Sequence, residues 1–206
     1  MTIVNLAGTS LLLTLMAGAG ATLHAQTLQE PALVDALRRG GYVLVMRHAS
    51  SPAQLPDARH ADPENTARER QLDDTGKATA TAMGRAIRRL GIPVAQVLSS
   101  PTYRARETAR LAELPAPATV PELGDRGKSM QAITPADGRW LAERAQQAPP
   151  RGANVLLITH APNIAAAFPT VGPTQDGEML VFEPNGQGGA SLVGRIPIGD
   201  WPNLHR

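Results

Sequence analysis

Apolar positions along the chain fall into two kinds of pattern. Some form short continuous runs: Tyr42-Val43-Leu44-Val45-Met46, Val94 to Leu98, and Val155-Leu156-Leu157-Ile158 within 154–159. Runs of this length, rich in β-formers and lacking alternation, predict strands buried on both faces. Others are spaced at helical intervals. Leu33, Ala36 and Leu37 predict a helix over 29–39, closed by Gly40-Gly41. Ala78, Ala82, Met83, Ala86, Ile87 and Leu90 predict a second, capped by Asp74 or Thr75 and stopped by Gly91 with Pro93 beyond it. A third is expected with Pro101 in its first turn, running to about Leu114, and a fourth over 135–147. Thr119-Val120 reads as a weak strand. The stretches 179–182 and 191–196 read as two closing strands joined by a glycine-rich turn. Residues 50–73 and 121–134 are polar or proline-rich and read as loops; a loop as long as the first is usually functional.

This alternation predicts an α/β fold with helices on both faces of one sheet. In such sheets ligands bind beyond the carboxyl ends of the strands. Three strands end at polar groups: Arg47-His48, Ser99-Ser100 and Thr159-His160. Converging there, they can build one pocket.

Composition narrows the chemistry. The 206 residues include no cysteine, which excludes disulfides, thiolate metal sites and a cysteine nucleophile. The formal charge is only +2, and no basic run is interleaved with the scarce aromatics (3%), so no nucleic-acid partner is expected. Arginines are in modest excess between Arg85 and Arg110, which suits a small anionic ligand. Residues 1–25 hold no Lys, Arg, Asp or Glu. They carry a short apolar run, Leu11 to Met16, followed by Ala19-Gly20-Ala21 and by Ala25 before Gln26 as candidate cleavage sites. The run is too short to span a bilayer and reads as a secretory signal. The expected organisation is a signal peptide over 1–25 and one domain over 26–206. The mature protein would then be periplasmic or secreted, with no stable membrane insertion.

Met46-Arg47-His48-Ala49 after an apolar strand resembles the Arg-His-Gly signature of the histidine phosphatase superfamily, which includes phosphoglycerate mutases. Leu72-Asp73-Asp74-Thr75-Gly76-Lys77 is similar to that family's entry into its next helix. The run from Leu98 to Ala109 resembles its second phosphate-binding block, Leu157-Ile158-Thr159-His160 its late histidine block, and Gly177-Glu178-Met179 its entry to a closing strand. The blocks occur in family order over 42–196. The resemblance implies a three-layer αβα fold with a mostly parallel central sheet, phosphoglycerate-mutase-like. It also implies hydrolysis of a phosphomonoester through a phosphohistidine on His48, with no cofactor and no metal. Exported bacterial relatives suggest a sugar phosphate of the cell envelope as substrate. Ala49 departs from the family glycine, which matters only where that backbone needs positive φ.

The residue types fit such a reaction. A transferring phosphoryl group spreads negative charge over three oxygens, so positioning and charge stabilisation carry the catalysis. Arg47 and Arg104 offer planar, permanently charged forks, and His160 can add a donor. Of the arginines near Arg104, the family pattern selects the one preceding Ala-x-x-Thr-Ala, and Arg106 lies about 200° round the helix from it. His48 attacks phosphorus only with a free ring nitrogen, so its other nitrogen should donate to a fixed acceptor. The family's proton donor is a carboxylic acid in the segment after the third strand, here Asp125 or Glu122. Asn163, Ser51, Glu178, Arg70 and His60 are further candidates with ordinary structural alternatives. Three other activities stay open: a phosphohistidine-protein phosphatase, for which a poor acid would suffice, a mutase, and a non-catalytic binder of phosphorylated ligands.

Overall fold

The computed structural model describes residues 28–52, 65–127 and 130–205. The expected signal segment and His60 lie outside these residues. The described residues form helices α1 (Glu30–Arg39), α2 (Asp74–Leu90), α3 (Tyr103–Leu111), α4 (Pro135–Ala145) and α5 (Ala161–Ala167). Their strands are β1 (Val43–Arg47), β2 (Val94–Ser99), β3 (Ala118–Thr119), β4 (Asn154–Thr159), β5 (Met179–Pro184) and β6 (Ala190–Ile196). No helix among the described residues is long and apolar enough to cross a membrane.

One sheet of order β3-β2-β4-β1-β5-β6 organises the molecule. The β3/β2, β2/β4 and β4/β1 pairs are parallel, and β5 and β6 add antiparallel at the β1 side. The continuous apolar runs occupy its centre. β4 is buried at every position and β1 at all but Arg47, because both faces are covered. Leu44, Met46, Leu156 and Ile158 pack with α1, α2 and α3 on one face. Val43, Val45, Val155 and Leu157 face Leu141 of α4 and Ile164 of α5 on the other. The architecture is the three-layer αβα sandwich with a mostly parallel sheet that the sequence implied.

Boundaries differ where side chains compete with the helical pattern. The cap of α2 is Asp73, one residue before the expected Asp74 or Thr75, because its carboxylate accepts from Gly76 N at 2.6 Å. Ser50 Oγ donates to the same carboxylate at 2.8 Å, stapling the chain after His48 to the start of α2. The backbones there approach so closely that a Cβ on Gly76 would overlap the Ser50 carbonyl. Pro101 lies before α3, not in its first turn. Ser100 Oγ holds Thr102 N at 3.3 Å, Glu69 accepts from Tyr103 N at 2.6 Å, and the helix begins there. The 121–134 stretch contains two short 3-10 turns, Pro121–Leu123 and Met130–Ala132. α4 stops at Ala145, two residues early, and starts with a capping box between Thr134 and Asp137.

Candidate active site

The ends of β1, β2 and β4 meet at the carboxyl edge of the sheet. β4 sits between the other two, so His48 after β1 and Ser100 after β2 each bond to β4's last turn. His48 N donates to Thr159 O at 3.0 Å and Ser100 N to Ile158 O at 2.9 Å. A pocket of about 180 Å³ opens there. It is lined by Arg47, His48, Arg70, Arg104 and His160 together with Met130, Gln131, Ala161 and Pro162. The four residues expected to clamp or attack phosphate are thus brought together, and Arg70 joins them.

His48 is 2% exposed, and its tautomer follows from its two contacts. Nδ1 lies 2.8 Å from Ala49 O, a pure acceptor, so Nδ1 carries the proton. Arg104 Nε, a pure donor, points at Nε2 from 3.2 Å, so Nε2 presents its lone pair. Burial, then the Arg104 charge, hold this imidazole well below the usual histidine range. It is neutral at neutral pH, the form that can act as a nucleophile. Ala49 takes no positive φ and packs in the core, so its methyl is accommodated without backbone strain.

His160 has the opposite tautomer. Its Nδ1 lies 3.2 Å from an Arg104 Nη, which can only donate, so Nε2 carries the proton and donates to Ser100 Oγ at 2.9 Å. Burial and Arg104 depress it as well. The two rings meet edge to face with centroids 5.1 Å apart. His160 therefore lines the pocket while its donor nitrogen is engaged with Ser100.

Arg104 is 8% exposed and bridges both histidines. Arg110 instead turns out to Glu107 at 2.6 Å, and Arg106 does not line the pocket. One helical turn after Arg104, Thr108 Oγ1 donates to Arg104 O at 2.8 Å and accepts from Ala49 N at 3.2 Å. This hydroxyl ties α3 to Ala49, the residue whose carbonyl fixes the His48 tautomer. Arg47 is held from 127 residues away: one Nη donates to Thr174 O at 2.8 Å, and the other pairs with Asp176 at 2.6 Å.

The remaining candidates separate clearly. Arg70 Nε donates to Ser51 Oγ at 3.0 Å, and Ser51 donates to Gln71 O at 2.6 Å. Nearby Asp73 is engaged by Ser50 and Gly76, and Asp74 by Lys77. Glu178 neither faces a histidine nor idles at a strand edge. It pairs with Arg195 at 2.7 Å and accepts from Gln175 N. Asn163 lies inside α5 and donates to Gly124 O at 2.9 Å, fastening the 121–125 turn. Asp125 is buried with one oxygen on Gly127 N at 2.9 Å, and Glu122 lies 3.9 Å from Arg126. Neither lines the pocket, and no carboxylate is among the described residues that do.

Several of these contacts were invisible to sequence reasoning. Thr108, Ser100 and Glu69 are small or acidic residues without a period of their own. Thr108 and Ser100 share a block with Arg104, Ser100 as a polar strand end, whereas nothing near Glu69 in sequence points to Tyr103.

Comparison with known proteins agrees with this fold. The sequence model of the Histidine phosphatase superfamily (branch 1) matches residues 43–126. No curated protein matches the chain in sequence. Among solved structures, the protein histidine phosphatase SixA complexed with tungstate is similar at 18% identity and TM-score 0.54, over 77% of this chain and 98% of that one. A phosphoserine phosphatase from Entamoeba histolytica, in complex with 3-phosphoglyceric acid, is similar at 12% identity and TM-score 0.52, over 75% and 95%. A mycobacterial hydrolase gives 14% identity and TM-score 0.51, over 74% and 97%. These likenesses establish the fold, and the sequence match over residues 43–126 makes the stretch holding the first two phosphate-binding blocks similar to the histidine phosphatase superfamily.

Proposed function

We propose that the protein hydrolyses a phosphomonoester through a phosphohistidine on His48. The observation that carries this is the His48 tautomer. Nδ1 is spent on the Ala49 carbonyl, and Nε2 offers its lone pair into a pocket lined by three arginines. Nε2 forms a bond to phosphorus as the bond to the leaving oxygen breaks. The electron pair departs on that oxygen, which takes a proton. Water then attacks the phosphohistidine, releasing inorganic phosphate and restoring neutral His48. Arg104, Arg47 and Arg70 offset the charge on the phosphoryl oxygens. His160 fixes the Arg104 fork and donates when Ser100 yields its bond.

A second reading, phosphohistidine-protein phosphatase, is favoured by the lack of a carboxylate among the described residues that line the pocket. A nitrogen leaving group departs without the strong proton donor that an ordinary alkoxide needs. Two of the solved structures with this fold are a protein histidine phosphatase and a phosphoserine phosphatase, so the fold accommodates either substrate.

The test is rapid-quench labelling with phosphoramidate, followed by turnover of a panel containing aryl, alkyl and sugar phosphates and a phosphohistidine peptide. Wild type should give an acid-labile, base-stable phosphoenzyme that His48→Ala lacks. Turnover of the peptide alone would select the second reading. No phosphoenzyme and no phosphate release from any substrate would overturn both. Export through residues 1–25 belongs to the same proposal; amino-terminal sequencing of protein recovered outside the cytoplasm checks it, and an intact Met1 would refute it.

A further inference from the structure

Beside the phosphate pocket lies a second cavity of about 530 Å³, and Arg47, Ala161 and Pro162 line both. Its other walls are Ala165, Phe168, Pro169, Gly172, Pro173 and Thr174. Arg47 is the one charged residue among its described walls, and both its Nη atoms already bond within the protein, to Thr174 and Asp176. The cavity therefore offers an incoming group carbon surface and few hydrogen bonds. Its size is that of a small-molecule site, and its lining is that of one that binds apolar matter.

The walls are fixed before any ligand arrives. Phe168 stacks on Phe182 of β5 with ring centroids 4.4 Å apart. The 171–176 segment is pinned by Arg195, whose Nη atoms donate to Val171 O and Pro173 O, each at 2.9 Å, while the same guanidinium pairs with Glu178. Both the apolar wall and the Arg47 clamp thus hang on one segment.

From this we infer that the cavity receives the apolar part of the substrate, so that the preferred substrates are monoesters of alkyl or aryl alcohols rather than of sugars. The inference rests on the phosphatase reading above and specifies its leaving group. The shared residues place this group against the phosphoryl site, and the carbon walls leave the hydroxyls of a sugar without partners. A phenol also departs as a comparatively stable anion, which suits a pocket whose described lining holds no carboxylic acid.

An n-alkyl series isolates the effect, because ethyl and hexyl phosphate differ in apolar length but hardly in leaving-group acidity. Wild type should hydrolyse hexyl phosphate with kcat/KM at least about tenfold above ethyl phosphate, since four methylenes move out of water. Ala165→Glu places a charge on this wall at an exposed helical position, and the hexyl-to-ethyl ratio should fall toward one. The ratio, not the absolute rate, is the readout. A wild-type ratio near one, or a ratio that Ala165→Glu leaves unchanged, overturns the inference while labelling by phosphoramidate still stands. Failure of phosphoramidate to label wild type removes the phosphatase reading and the inference with it.

Discussion

His48 and His160 should make folding stability fall in mildly acidic solution. Both imidazoles are buried against Arg104, with Arg70 and Arg47 adding to the field, and both are held well below their ordinary range by burial first and Arg104 second. In the unfolded chain they titrate near pH 6.5. Their folded values are depressed, so the stabilisation is complete above pH 6.5 and is lost as pH falls from there toward the folded values. In that window the unfolded state binds more protons, and each group costs up to about 1.4 kcal/mol per pH unit. Between pH 7.5 and 5.5 the pair should cost about 3 kcal/mol, a large share of the ~5–15 kcal/mol that holds a typical domain together. Among the described residues, two carboxylates are also held low. Glu107 is held by the hydrogen bond from Arg110; the burial of Glu178 is outweighed by Arg195. Their loss sets in only at more acidic pH, near and below the carboxylate range. Urea unfolding at pH 7.5 and 5.5 measures the difference directly. His160→Gln should halve it, and the double variant with His48→Gln should nearly abolish it, whatever either change does to stability at pH 7.5. If wild type and the double variant lose equal stability over this interval, the buried neutral imidazoles are not its source.

Other expectations follow from single contacts. Thr108→Val leaves Ala49 N–H and Arg104 C=O without their shared hydroxyl, and should cost about 1–3 kcal/mol in denaturant unfolding. Gly84→Ala sets helix propensity against packing. A Cβ there would overlap the Ala112 carbonyl, so the variant should lose about 1–3 kcal/mol where an open helical site would gain from alanine. Asp125→Asn and Glu122→Gln should each change kcat on an aryl phosphate by less than about threefold, because neither acid lines the pocket. A loss of about 10²-fold or more in steady-state assays would make that residue the proton donor after all.

The sheet and its cations were largely legible in the sequence. β1 and β4 announce themselves because strands buried on both faces must be apolar throughout, and each run stops at the first residue that reaches the pocket. Arg104 could be chosen over Arg106 and Arg110 because the resemblance to the family block selects it, and helical geometry agrees by setting Arg106 about 200° round the helix. The two acids could not be ranked in the same way. Carboxylates in or just after a short 3-10 turn have no period, and their direction depends on Asn163 and Thr159 holding Gly124 O and Leu123 O from other elements. The onset of α3 was misread for a related reason. Pro101 suits a first helical turn, but Glu69, from a loop 34 residues earlier, captures Tyr103 N and sets the start. Asp176 was equally hidden, since nothing near it in sequence points to Arg47.

The position of β4 between β1 and β2 has a temporal consequence. A nascent chain that has emerged only through α4 already contains His48 and all three pocket arginines, Arg47, Arg70 and Arg104, yet β1 and β2 have no common strand to join them. Addition of β4 closes that gap and delivers His160. The clamp on Arg47 arrives later still, with Thr174 and Asp176. Phosphate-binding competence is therefore a late event in synthesis, and capture of a phosphate mimic by ribosome-bound chains would report on completion of the sheet rather than on the presence of the motif.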